Sequence, residues 1–213
     1  MRTVRGPGRI NAAVTFETLV ERSTGAQPWR RLFHAANGLV VAGVLYFTDL
    51  PHWVVLGVLA AILAALIALD VIRLLSPRAN ELFFRTFRHL VTPREAKGPA
   101  SSTWYVLGLL TTIAIFPRAA AISGILLLAL ADPAASWVGR RWGRRPFLGA
   151  TLEGTSVFLA VSLAILLARH SWPVAVLGAV VATLAERFAW PVDDNLVVPV
   201  AGAAAVTLLG SVL

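Results

Sequence analysis

Residues 53–72 read WVVLGVLAAILAALIALDVI, an apolar run in which Asp70 is the one ionisable residue. A helix that crosses a bilayer needs about 20 such residues. Apolar side chains occupy every face of this helix, so it has no polar side to turn toward water. Further apolar runs lie at 35–48, 103–117, 119–138, 155–169, 173–189 and 196–213. The 213-residue chain is 57% hydrophobic and 14% charged, with mean hydropathy +0.74. A water-soluble domain of that length carries more charge. The expected fold is therefore all-α: a polytopic transmembrane helix bundle of about seven spans, with six as the alternative.

The positive charge tests the span count independently. With the N-terminus cytoplasmic and sides alternating, seventeen of the nineteen basic residues fall on the inner face, all except Arg118 and Arg169. That bias sets the orientation, predicts a multi-pass protein with a cytoplasmic active face, and explains the net charge of +8 without a nucleic-acid partner. Residues 1–29 are expected to form a cytoplasmic tail or an interfacial helix, because Ile10, Ala13, Phe16 and Val20 recur at helical spacing. Residues 30–213 read as one membrane domain. Its longest polar connection, 76–100, contains an amphipathic stretch over Asn80–Leu90. With no cysteine, there is no thiolate metal site or disulfide.

Asp132–Thr155, DPAASWVGRRWGRRPFLGATLEGT, concentrates the chemistry. Ionisable groups beside a bilayer are costly and read as functional by default. A helix continued from Asp132 to Arg144 puts Asp132, Ser136, Arg140 and Arg144 on one stripe, with Gly139 and Gly143 on the adjacent one. A carboxylate followed by guanidiniums suits a metal at depth and phosphates nearer water. Small residues equally suit close helix packing. Glu153-Gly154-Thr155 opens the next helix, either as a phosphate seat with Glu153 on magnesium or as an ordinary capped start. Asp193, Asp194 and Asn195 precede the last run as a cap or as part of a metal site. Asp70 and Arg73, one turn apart, are expected to pair.

Taken together, RRLFHAANGL (Arg30–Leu39), DVIRLLSPRAN (Asp70–Asn80), Glu95, a span with Tyr105 and Gly108, DPAASWVGRRWG, TLEGT and DDNLVVP (Asp193–Pro199) resemble the CTP-dependent polyprenol kinase family. That family includes dolichol kinase, phytol kinase and the CTP-using diacylglycerol kinase. The resemblance runs from Arg30 onward and implies a cytoplasm-facing site that moves the terminal phosphate of CTP to a lipid alcohol. It also implies that the DPAAS segment through Gly143 and the LEGT segment contact CTP and metal. One departure stands out: Ala150 occupies the position where the family usually carries a lysine. Arg144 or Arg145 is the candidate replacement, although a guanidinium is not a geometric copy of an ammonium.

The expected activity is a CTP-dependent lipid kinase using Mg²⁺ on an isoprenoid alcohol or diacylglycerol. Asp132, Glu153 and Asp194 are the expected catalytic residues, with Asp132, Glu153 and Asp193 on the metal. Ser136, Gly139, Arg140, Gly143, Arg144, Arg145, Gly154 and Thr155 are expected around the nucleotide. Arg31, His34, Asp70, Asn80 and Asn195 are expected toward the lipid. A homo-oligomer is compatible with the sequence. The competing readings are a cytidylyltransferase that makes a CDP-lipid, and a non-catalytic transporter or lipid-binding relative.

Overall fold

Proline sets the boundaries of the helices. It lacks the N–H that a helix interior needs, but fits the first turn. In the computed structural model, which describes residues 15–24, 28–189 and 192–212, helices begin at or beside Pro28, Pro51, Pro77, Pro117 and Pro173. The helices are α1 (Phe16–Arg22), α2 (Pro28–Phe47), α3 (His52–Leu75), α4 (Pro77–Thr86), α5 (Ser101–Ile115), α6 (Arg118–Leu126), α7 (Asp132–Trp142), α8 (Leu152–Leu167), α9 (Trp172–Arg187) and α10 (Asp194–Gly210). Each apolar run of the sequence thus coincides with a helix, and the fold is all-α as expected.

Two segments, His52–Leu75 and Arg118–Trp142, are long and apolar enough to cross a membrane. Their surroundings differ. Only 11% of the apolar window of α3 is buried, against 61% for Arg118–Trp142. Trp53, Val58, Ile62, Ile67 and Ile72 of α3 lie open. A helix that apolar, with that much surface uncovered, is unfavourable against water.

The Arg118–Trp142 rod is the centre of the bundle. α2 and α10 pack on its first half, while α8 packs on α7 and α9. Ile125, Leu127, Ala129 and Ala131 are fully enclosed. Between α6 and α7 the rod widens into a π turn over Leu127–Ala131, where the Asp132 N–H donates to the Leu127 carbonyl five residues back. Pro133 supplies the physical reason. It cannot donate to the carbonyl of Ala129 and its ring crowds that group, so the chain takes the wider turn.

The expected helix to Arg144 stops at Trp142. Gly143 turns extended (φ −63°, ψ 124°), and Pro146 follows. A short hairpin replaces the last turn: β1 (Pro146–Phe147) pairs antiparallel with β2 (Ala150–Thr151). Its two turn residues, Leu148 (φ 43°) and Gly149 (φ 78°), both adopt positive φ, the two-residue geometry whose twist matches a hairpin. Gly149 takes that conformation freely, whereas Leu148 is strained there.

At the polar end of α3, Arg73 is almost fully buried and ties four segments together. It donates to Asp70 Oδ1 (2.7 Å), Asn80 Oδ1 (3.1 Å), the Glu95 carbonyl (2.6 Å) and the Gly98 carbonyl (2.6 Å). Asp70 also accepts from the Ala100 N–H and the Thr103 hydroxyl. The expected Asp70–Arg73 pair is present, as the centre of a structural clasp. Beside it, Phe16, Leu19 and Val20 of α1 pack on Phe83, Phe84, Val91 and Ala100. The described half of the expected interfacial helix therefore lays its apolar face on α4, while Ile10 and Ala13 lie outside the described residues.

Candidate functional site

Two cavities meet at the end of the central rod, and both are lined by Asp132, Ser136, Arg140 and Asp194. Their i, i+4 spacing puts the first three on one face of α7. Asp194 enters from the first turn of α10. The first cavity, about 330 Å³, continues along Gly139, Gly149, Ala150, Thr151, Gly154 and Thr155 to Glu186 and Arg187 at the end of α9. The second, about 270 Å³, runs to Arg30, Arg31, His34, Thr92, Arg94 and Asn195. Each volume is at the lower end of the range of small-molecule sites.

The TLEGT segment forms the wall of the first cavity through its backbone and hydroxyls. Thr151 caps α8, accepting the Gly154 N–H at 3.2 Å, and the Thr155 hydroxyl donates to the Thr151 carbonyl. A Cβ on Gly139 would meet Thr151 Oγ1 at 2.9 Å, and one on Gly154 would meet the Ala135 carbonyl oxygen at 3.0 Å. These two glycines let α7 and α8 cross closely enough to close the cavity.

Two arginines of the second cavity, Arg30 and Arg31, keep buried donors without partners. Arg31 is 9% exposed, yet its Nε and Nη2 have no hydrogen-bond partner. The Nε of Arg30 is in the same condition, although its Nη1 donates to Ser101 Oγ at 3.1 Å. Leaving a buried donor unmatched costs roughly 1–3 kcal/mol, more for a charged group. A planar guanidinium offers forked donors that match a phosphate or carboxylate. These arginines face Asp132 closely enough to interact electrostatically, as does Arg187 from the other side. The arrangement is a pair of carboxylates between two groups of guanidiniums.

The expected residues separate into those the cavities gather and those they leave out. Gathered are Asp132, Ser136, Gly139, Arg140, Gly154, Thr155, Asp194, Arg31, His34 and Asn195. Glu153 lines neither cavity. Its carboxylate accepts the Arg145 N–H at 3.4 Å and so braces the hairpin. Arg144 and Arg145 are exposed beyond the end of α7 and line neither cavity, whereas Ala150 lines the first. A Cβ on Gly143 would meet the Thr151 side chain, so that glycine is a packing residue.

Asp193 caps α10, accepting the Asn195 N–H (3.1 Å) and side-chain amide (2.6 Å), and pairs with Arg94 at 3.0 Å. Asp70 and Asn80 belong to the Arg73 clasp, with Asn80 also donating to the Ala96 carbonyl. Among the described residues no three histidine or carboxylate side chains converge as a metal cage. The pair Asp132 and Asp194 nonetheless fits Mg²⁺, which takes one or two carboxylates together with substrate phosphate oxygens.

Arg30, Thr92, Arg94, Glu186 and Arg187 line the cavities without having been expected there. Arg30 adjoins Arg31 in the RRLFH run, a signal that was available in the sequence. Glu186 and Arg187, which pair side by side, were the lone charged doublet at the inner end of their span.

Comparison with known proteins points to one chemistry. The chain is 32% identical over 114 residues to CTP-dependent diacylglycerol kinase 1 of Saccharomyces cerevisiae, covering 54% of this chain and 39% of the relative. It is 32% identical over 114 residues to the protein of the same name from Eremothecium gossypii, covering 36% of that relative. The Schizosaccharomyces pombe protein of that name is 29% identical over 162 residues, covering 66% of this chain and 74% of the relative.

The similarity is to CTP-dependent lipid kinases.

It agrees with the resemblance read from the sequence. The chain spans less than two-fifths of the length of the first two relatives and about three-quarters of the third. No family model matches the chain, and no solved structure matches it.

Proposed function

We propose that this chain is a multi-pass membrane enzyme that transfers the terminal phosphate of CTP to the hydroxyl of a lipid alcohol. Seven spans with the N-terminus inside would put the joined cavities at the cytoplasmic face, where the basic residues also gather. The observation that carries the reading is the junction of Asp132 and Asp194 with Arg30 and Arg31, whose buried donors match the needs of a polyphosphate. The names of the similar proteins support CTP as donor, and favour diacylglycerol over an isoprenoid alcohol as acceptor.

Phosphoryl transfer depends on positioning and charge neutralisation more than on covalent help from the protein. In this reading the first cavity takes the nucleoside end of CTP against the Thr151–Thr155 turn. Arg140 and Arg187 hold the inner phosphates, and Arg30 and Arg31 receive the terminal one. Mg²⁺, held by Asp132 with phosphate oxygens, would neutralise charge between the phosphates. Asp194 lies at the junction, positioned to accept the proton of the attacking hydroxyl as the O–P bond forms and CDP leaves.

The test is CTP labelled at its terminal phosphate, given to purified protein with diacylglycerol, a polyprenol and a phytol-type alcohol. Lipid phosphate and CDP are the expected products. CDP-lipid with pyrophosphate, or full transfer by a normally folded Asp132→Asn protein, contradicts the proposal.

A further inference from the structure

A third cavity, about 170 Å³, opens between α2, α3 and α4. Its walls are almost entirely apolar: Phe33, Leu66, Leu69, Phe83, Phe87 and Leu90. Arg30 and His34 line both this slot and the second cavity, so the two adjoin at these side chains. At that inner end the surface becomes polar, where Arg30 donates to Ser101 Oγ (3.1 Å) and Ser101 donates to Glu95 Oε1 (2.8 Å). At the outer end Leu69 and Phe33 are exposed, and α3 presents an uncovered apolar surface around them.

From this gradient we infer that the slot binds the first segment of one hydrocarbon chain of the lipid alcohol, holding its hydroxyl at the Arg30–His34 threshold. The inference rests on the lipid-kinase reading and adds the acceptor's binding site. Three observations select a lipid chain over a protein partner. One wall is the least buried apolar helix of the molecule, which makes bilayer lipid the adjacent reservoir. The slot is narrow: at roughly 30 Å³ per small group it admits on the order of six methylene-sized units, too few for a helix or strand. Its inner end shares Arg30 and His34 with the cavity proposed for the terminal phosphate, which would place a tethered hydroxyl beside the reacting group.

The Arg73 clasp gives the slot a fixed wall. The Arg73 guanidinium lies 4.5 Å from the centre of the Phe83 ring, and the Phe83 and Phe87 rings pack at a tilt of 50° with centres 5.1 Å apart. α4 is thereby anchored from behind while its phenylalanines face the slot.

The experiment uses the full chain in nanodiscs and lipid alcohols carrying a photoactivatable diazirine, either within the first few tail carbons or at the tail end, in one-tailed and two-tailed forms. We expect the proximal probe to label residues of the Phe83–Leu90 segment or Phe33, and the distal probe to label lipid-facing surface instead. Leu66→Trp, which fills the slot from a partly exposed helix position, should abolish proximal labelling. It should also raise KM for the long-chain alcohol by about tenfold, the scale of a misfit in an apolar pocket, while kcat and transfer to a short soluble alcohol stay unchanged. Labelling that survives in a preparation unable to transfer phosphate supports the slot and counts against the kinase reading alone. Equal labelling by both probes, or Leu66→Trp without effect on labelling in a protein of unchanged melting temperature, overturns the inference.

Discussion

Arg73 and Arg31 are both buried arginines near the polar end of the bundle, and they differ in how completely they are matched. Arg73 is anchored by a carboxylate, a side-chain amide and two backbone carbonyls, so its charge is compensated within the protein. Arg31 keeps Nε and Nη2 unpaired in a cavity beside Asp132 and Asp194. A matched buried charge holds a fold together, whereas an unmatched one is an expense that a bound anion can relieve. The far end of the bundle extends the contrast. There Arg118 donates to the Leu45 and Thr48 carbonyls, and Arg169 donates to Ser123 Oγ and the Ala119 carbonyl. Arg118 covers carbonyls at the C-terminal end of α2, and Arg169 ties the end of α8 to α6.

The largest expected effect falls on the matched arginine. Arg73→Met leaves Asp70 buried without its cation and should cost about 3–5 kcal/mol, read as a collapse of the detergent-solubilised melting temperature. An unchanged melting temperature would break the comparison. Next, Arg31→Gln should lower CTP-dependent transfer by about 100-fold or more, the scale of one lost transition-state donor, while stability holds or rises. Loss of stability there would make Arg31 a second clasp.

The carboxylates sharpen the same point. Asp194→Asn should reduce transfer by a factor of about 100 or more. Glu153→Gln, at the partly exposed start of α8, should leave transfer within about twofold and the melting temperature nearly unchanged, as surface changes usually do. A large loss of transfer from Glu153→Gln would return that residue to the site. The smallest effect on transfer is expected of Arg118→Gln, which loses carbonyl contacts worth about 1 kcal/mol of stability and leaves transfer unchanged.

What could be read in advance follows the range of the interactions. Asp132, Ser136 and Arg140 share a face because helical periodicity fixes it, and Asp70 meets Arg73 because they are one turn apart. The Thr151 cap is local in the same way. The surroundings of Glu153 were not legible because they depend on the hairpin at Pro146–Thr151, two-residue strands with no periodic signature. Arg144 leaves the Asp132–Arg140 stripe because the helix ends at Trp142, two residues short of it. The long pairings were out of reach: Arg94 meets Asp193 across 99 positions and Arg30 meets Ser101 across 71. Such contacts depend on how whole helices pack, so the place of Arg94 emerges only from the assembled bundle, whereas Arg30 and Arg187 carry a local signal in the sequence.

The central claim is that the cavity at Arg30, Arg31, Asp132 and Asp194 receives the phosphates of CTP. The most direct test is a CTP binding isotherm with Mg²⁺, comparing the unaltered protein with Arg30→Gln/Arg31→Gln at matched melting temperature. The account predicts saturable binding that weakens by about tenfold or more in the variant, equivalent to about 1.4 kcal/mol or more. Equal affinity in the two proteins would contradict it.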